Sequence, residues 1–205
     1  MPITVIKLGG SLIHSHVLQN WLENIQKFAL TNNVIVVPGG GVFADRVREV
    51  QQQFSFDEQT AHRMALLAMS QYGHMLSGLN PAFRIIDDIG KISSGFDQGL
   101  PLVWLPNCLM DDNSEVPANW DFSSDSIALW LAIKLKAECL ILVKSLSVDG
   151  TELNIHQLVQ TEKIDKGIQE LSDKFPGEIR WLAKTQYAVL NNPDQLRDIS
   201  LKICK

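Results

Sequence analysis

The chain predicts an α/β protein, a mostly parallel sheet covered by helices on both faces. Continuous apolar runs of strand length, at residues 3–8, 34–37 and 139–143, read as parallel strands buried on both sides. They alternate with stretches of helical periodicity, and strand–helix alternation implies crossover connections between parallel neighbours. Four polar or glycine-rich segments each follow a predicted strand, at the carboxyl ends where open parallel sheets bind ligands.

The elements follow in order. Residues 3–8 form the first strand. Residues 17–30 form an amphipathic helix with Leu18, Leu22, Ile25 and Ala29 on one stripe. Residues 34–37 return as strand. A short helix is expected over 43–53 and a longer one over 57–79, opened by the acidic first turn Asp57-Glu58. Residues 83–86 and 102–105 are further strands, and 108–122, with Asp111, Asp112, Asn113 and Pro117, reads as a loop. Ser123 or Ser124 can cap the next helix, whose run 127–133 is apolar around most of its circumference and should be deeply buried. The strand 139–143 precedes a loop, a helix over 162–175 and a short strand over 179–182.

At 205 residues and 45% hydrophobic content the sequence fits one compact domain spanning 1–205, able to bury about 70% of its extended-chain surface. Eighteen basic against 23 acidic residues give a net charge of -5, with no concentration of Lys or Arg. Nucleic acid is therefore not an expected partner, and an anionic ligand would need a local pocket of cations and amides. Cys108, Cys139 and Cys204 show neither C-x-x-C nor metal-finger spacing. With no signal-peptide pattern and no apolar run of membrane-spanning length, a cytoplasmic protein without membrane association is expected.

Each of the four segments has a plain reading beside a functional one. In Lys7-Leu8-Gly9-Gly10-Ser11, Gly9 and Gly10 permit close backbone approach to a phosphate chain while Lys7 supplies charge; otherwise it is a turn with a solvated lysine. Gly39-Gly40-Gly41 permits approach to an acceptor, with Asp45, Arg46 and Arg48 on the following helix; otherwise it is a flexible connection with a surface charge cluster. Neither segment has G-x-G-x-x-G spacing, which disfavours a dinucleotide site. Ser123-Ser124-Asp125-Ser126 serves as a helix cap, and Asp125 could also orient Lys7 or help hold magnesium. Lys144, emerging at the end of its strand, and Val148-Asp149-Gly150 form either a nucleotide-binding edge or an Asp-Gly turn with an exposed lysine.

In this order the segments resemble the amino acid kinase family over nearly the whole chain. Lys7-Leu8-Gly9-Gly10-Ser11 is similar to that family's opening Lys-x-Gly-Gly-Ser, Gly39-Gly40-Gly41 to its substrate-loop triplet, Asp125 to its lysine-organising aspartate, and Val148-Asp149-Gly150 to its nucleotide-side turn. Residues 38–45, 61–65 and 120–128 most resemble the aminomethylfuran phosphate kinases of methanofuran biosynthesis. The resemblance implies a three-layer αβα sandwich. It implies ATP with Mg²⁺ as donor and an anionic phosphate or carboxylate acceptor. Lys7, Asp125 and Lys144 are then the catalytic candidates, with Lys184 a weaker second lysine. Gly9, Gly10, Ser11, Asp149 and Gly150 would bind nucleotide; Gly39, Gly40, Gly41, Asp45, Arg48 and His62 would bind the acceptor.

The chain departs from the family in being short and in carrying Thr151-Glu152-Leu153 after the Asp-Gly turn, where relatives have Val-Tyr; Ser147 also stands where they commonly carry a charge. His62 can instead be a core histidine, and Trp120 and Phe122 can pack on the next helix rather than flank an aromatic acceptor. Asp87-Asp88 and Asp111-Asp112 read as loop carboxylates. Two other functions fit the same scaffold. One is a storage or regulatory protein that binds nucleotide or oxyanion without transfer. The other is a structural subunit that dimerises through helix 57–79, a face that also makes a homo-oligomer the expected assembly of the enzyme.

Overall fold

The computed structural model describes residues 1–96, 99–111, 115–148 and 152–204. Among these described residues eight strands form one sheet: β1 (Ile3–Leu8), β2 (Asn33–Pro38), β3 (Arg84–Ile86), β4 (Leu102–Trp104), β5 (Cys139–Lys144), β6 (Glu152–Asn154), β7 (Glu178–Ala183) and β8 (Leu201–Cys204). Their spatial order is β3-β4-β2-β1-β5-β7-β8-β6. Every pairing is parallel except that of β7 with β8. From β1 the chain builds outward through β2, then returns to place β5 on the other side of β1. That reversal puts a crevice between the carboxyl ends of β1 and β5.

Alternation along the strands sorts the core into two layers. Val5, Leu140 and Leu142 pack on one face against Ile127, Ala128 and Leu131 of α5 (Ser124–Lys134). Ile6, Leu8, Ile141 and Val143 pack on the other against Trp21, Leu22 and Ile25 of α1 (Leu18–Ala29). The outer flank is built by α2 (Gly41–Phe54) and α3 (Glu58–Leu79), with short α4 (Ile92–Gly95) between β3 and β4. Asp57 is the N-cap of α3 and accepts from the Thr60 backbone N–H at 2.7 Å, so the acidic pair Asp57-Glu58 divides into a cap and a first-turn residue.

The second half departs from the sequence reading. The helix expected over 162–175 is the shorter α7 (Lys166–Ser172), and a further helix, α6 (Ile155–Gln160), forms in the stretch read as a loop. The later start follows from Glu162, whose φ of 53° lies between α6 and α7, and from Asp165, which caps α7. The short β6, α8 (Pro193–Ile199) and antiparallel β8 lie beyond what periodicity indicated, being three to seven residues long. A 3₁₀ turn, Asn107–Leu109, opens the segment read as a loop. Among the described residues no helix is long and apolar enough to cross a membrane.

Candidate active site

Lys7 is the fifth residue of β1, and two-residue alternation places it with Val5 on the face covered by α5. Lys144, the last residue of β5, follows Leu140 and Leu142 onto that same face. Because Lys7 is in register with Leu142, the two lysines stand two positions apart on adjacent strands. Asp125, in the first turn of α5, reaches between them. Its Oδ1 lies 2.8 Å from Lys7 Nζ, and its Oδ2 accepts a short hydrogen bond from Lys144 Nζ.

This is a buried cluster, with Lys7 6% and Asp125 3% exposed. Burial alone would raise the Asp125 carboxyl, but the Lys144 and Lys7 ammonium groups outweigh it and hold the pKa down at about 2. Burial pushes the Lys144 ammonium below the ordinary lysine range, with Asp125 opposing. Of the two readings of Lys144, the exposed lysine of a plain turn does not hold: it is largely buried, because the N-terminus of α5 covers it with a counter-charge.

The glycines act mainly on each other. A Cβ at Gly10 would sit 2.1 Å from the Gly41 nitrogen, and one at Gly39 would sit 2.6 Å from the Gly10 nitrogen. Gly41 also has φ of 53°, favourable only for glycine among ordinary residues. The loop after β1, with its 3₁₀ turn Gly10–His14, therefore lies directly on the loop that opens α2. Their absent side chains bring two loops into backbone contact, which also leaves Gly10 and Ser11 on the wall between two cavities.

The larger cavity, about 470 Å³, is lined by Gly40 at the N-cap of α2, by Gly41 and Ala44 of α2, by His62, Leu66 and Met69 of α3, and by Trp120, Phe122, Ser123 and Ser124 before and at the start of α5. Asp45, Arg48, Glu58 and His14 add both signs of charge to its walls. The Arg48 guanidinium lies 4.3 Å over the Trp120 ring, and Trp120 Nε1 donates to Gln51 Oε1 at 2.7 Å. His62 is buried and, among the described residues, its Nε2 has no partner, which departs from a satisfied core histidine. Burial lowers its pKa and favours the neutral ring.

The smaller cavity, about 230 Å³, is lined by Lys7, Gly9, Gly10, Ser11, Lys144, Glu162, Lys163 and Trp181. Lys163 also lines a third space of about 370 Å³ with Val148, Leu153, Asn154, Gln157 and Leu158. Lys163 escaped the sequence reading because the break that exposes it lay inside the helix expected over 162–175. The expected nucleotide contacts Asp149 and Gly150 lie outside the described residues.

Three further expectations are revised. Lys184 takes no part in the charged cluster; its N–H donates to the Lys144 carbonyl at 2.8 Å and its own carbonyl accepts from Trp21 Nε1. Ser123 is the N-cap of α5 by position but makes no side-chain cap bond; its hydroxyl donates instead to Asp165 at 2.6 Å. Asp165 is the carboxylate the sequence analysis did not find, although Asp before an apolar-periodic stretch is a helix-start signal. Finally, no group of three or more His, Cys, Asp or Glu among the described residues is arranged to hold a metal, and Asp125 is already engaged by two lysines. The donor set does not fit a resident protein-held magnesium site.

Among curated proteins, the chain is 22% identical over 204 residues to [5-(aminomethyl)furan-3-yl]methyl phosphate kinase of Methanocaldococcus jannaschii, covering 95% of this chain and 91% of that protein. Among solved structures, uridylate kinase from Archaeoglobus fulgidus superposes with a TM-score of 0.70 at 17% identity, covering 94% of this chain and 96% of that one. UMP kinase from Ureaplasma parvum gives 0.75 at 13% identity, covering 100% and 99%. These two likenesses establish the αβα fold. The profile of the amino acid kinase family matches residues 2–150, which include β1, β2, α5 and β5 and so every side chain of the Lys7–Asp125–Lys144 cluster, and the chain belongs to the amino acid kinase family.

Proposed function

We propose that this protein transfers the γ-phosphoryl group of ATP to a small anionic acceptor, a phosphate or carboxylate, best matched by [5-(aminomethyl)furan-3-yl]methyl phosphate in the making of a methanofuran-type cofactor. The observation that carries the reading is the pair of cavities sharing Gly10 and Ser11, with Lys7 and Lys144 opening into the smaller one. The cation-rich smaller cavity suits donor phosphates, and the third space, which shares Lys163 with it, suits the nucleoside. The larger cavity has the size of a small-ligand site. Its mixed walls fit an acceptor with an apolar ring, an anionic end and a cationic end: Trp120, Phe122 and Met69 for the ring, Arg48 for the anion, Asp45 and Glu58 for an ammonium. His62 Nε2 offers this acceptor a polar contact that the protein itself leaves unmade.

Transfer is direct. An acceptor oxygen attacks the γ-phosphorus, the bond from phosphorus to the β,γ-bridging oxygen breaks, and ADP leaves with those electrons. A phosphate or carboxylate oxygen is already a nucleophile, so no base is needed. Asp125, with its pKa of about 2, stays ionised and positions the two ammonium groups. Lys7 and Lys144 stabilise charge on the phosphoryl group as it moves. Magnesium, where it takes part, would arrive on the nucleotide phosphates.

The exposed Leu67 and Leu79 on α3 support a homo-oligomer through that helix, which light scattering on the purified protein would test. For the activity, the test is ADP release from ATP across aminomethylfuran phosphate, acetylglutamate, isopentenyl phosphate and uridine monophosphate. Turnover confined to the first is the expected result. ATP binding with no ADP formed on any acceptor would replace the kinase with a nucleotide-binding protein.

A further inference from the structure

Behind the Lys7–Asp125–Lys144 cluster stands a second buried carboxylate that the transfer step does not use. Asp165 caps α7, its Oδ1 accepting from the Ile168 backbone N–H at 3.2 Å. That is all a helix cap requires. The rest of its capacity goes to α5. Oδ2 accepts from the Ser123 N–H at 2.9 Å, from the Ser126 N–H at 3.1 Å and from the Ser123 hydroxyl at 2.6 Å. Oδ1 takes a short hydrogen bond from the Ser126 hydroxyl. Four of these donors belong to residues on either side of Asp125.

Neighbours of Asp165 hold the same turn. The Gly167 N–H donates to the Asp121 carbonyl at 2.9 Å, and Lys166 pairs with Asp121 at 3.0 Å on the surface. A Cβ at Gly167 would lie 2.6 Å from Ser126 Oγ and 2.7 Å from Phe122 Cδ1. Residues 165–167 thus clasp residues 121–126 by a carboxylate, an ion pair and a missing side chain. Among the described residues, the atoms that hydrogen-bond to Asp165 are three backbone N–H groups and two hydroxyls, all donating, a set that suits the ionised form. Burial, with the negative charge of Asp125, opposes that ionisation and raises its pKa, while the Ser123 and Ser126 donors lower it.

Asp125 must reach lysines on two different strands at once, and a shift of about 1 Å at such a group can cost about 100-fold in rate. We propose that Asp165 is a positioning residue for phosphoryl transfer: it fixes the 123–126 turn so that Asp125 holds both ammonium groups, and it supplies the second negative charge balancing Lys7 and Lys144. The proposal rests on the kinase reading above. It also makes a prediction about lysine ionisation that needs no turnover. The charged groups facing Lys144 are Lys7 from β1, Asp125 from α5, Asp165 ahead of α7, and Glu162 and Lys163 across the smaller cavity. Removing Asp165's charge leaves Lys144 with less support for its ammonium.

The test compares full-length wild type with Asp165→Asn and Ser126→Ala, by steady-state kinetics over pH and by ¹³Cε NMR titration of the lysines. In Asp165→Asn the expected result is kcat lower by about 10- to 100-fold, with KM for ATP and acceptor within about twofold. The alkaline decline of kcat and the Lys144 titration midpoint both move to lower pH. Ser126→Ala, which removes one donor but keeps the charge, lowers kcat by less and leaves the midpoint in place. It also decides the positioning role if Asp165→Asn does not fold. A folded Asp165→Asn with wild-type kcat and an unmoved Lys144 midpoint would overturn the proposal, as would a Ser126→Ala of wild-type kcat. If the wild type makes no ADP, the kinase reading fails by itself, and the NMR midpoint in Asp165→Asn still decides the charge coupling.

Discussion

Lys7 and Lys144 share one counter-ion, and that sharing sets what each substitution should do. Lys7→Ala removes a preorganised cation aimed at the smaller cavity and should lower kcat by about 10²- to 10³-fold. ATP binding, followed by thermal shift, should persist through Lys144, Lys163 and the glycine loop. Near-normal turnover in Lys7→Ala would remove it from the reaction. Asp125→Ala strands two buried ammonium groups and should cost about 3–5 kcal/mol in chemical denaturation. Asp125→Asn, which keeps the shape, should cost less stability but a comparable loss of kcat. The pH dependence follows from Lys144. Its ammonium is present below its pKa and lost above it, and burial sets that pKa below the ordinary lysine value. The kcat profile should therefore fall on its alkaline side before the ordinary lysine range of about 10.4 is reached. A flat profile through pH 10 would separate Lys144 from the chemistry.

At the level of loops and helices, the glycines separate two kinds of position. Gly10→Ala would drive a Cβ into the Gly41 backbone, where neither loop has a flexible atom to yield, so Tm and kcat should fall together. Gly78, exposed in α3, offers the contrast, since a Cβ added there would meet nothing within 4 Å: Gly78→Ala should gain about 0.5–1 kcal/mol and leave kinetics unchanged. If both variants lose stability alike, helix and loop geometry are not what distinguishes these glycines. This contrast also marks what the sequence could reveal. Strands β1, β2 and β5 and the apolar helix α5 were legible because buried parallel strands and an all-round apolar helix leave long unbroken patterns. Lys7, Asp125 and Lys144 could then be assigned to one crevice, since two were strand-end residues and the third opened a helix. The mutual contact of Gly10 and Gly41 was not legible, because sequence spacing records that glycine is present, not what approaches it. Asp165 and Lys163 were lost for a related reason: the helix was started at Glu162, a left-handed residue, so that the turn before α7 and its cap were read as helix interior. The strands β6 and β8 were missed because three or four residues are too few to establish an alternation, and β8 is set by its antiparallel partner β7.

Across the whole molecule the reversal of strand order at β1 sets the two cavities on different parts of the chain, and the proposed function places one substrate in each. The elements before β3 supply α2, α3 and the glycine triplet around the larger cavity, while β5 and the turn after α6 supply Lys144 and Lys163 around the smaller one. The segment from Asn119 to Ser124 closes the larger cavity, and the Gly10-Ser11 loop is shared by both. Such a division predicts that perturbations far from the shared lysines should act on one substrate at a time. Trp120→Ala removes the ring under Arg48, a contact of about 0.5–1 kcal/mol, together with a wall of the acceptor cavity. KM for the acceptor should rise by about tenfold while KM for ATP stays within about twofold, since an aromatic wall in a small-ligand site contributes about 1.4 kcal/mol or more. Lys163→Ala should do the reverse, raising KM for ATP and sparing the acceptor. Measured side by side, the two variants form a crossed test. Equal effects on both substrates in either variant would mean that the cavities close as one unit.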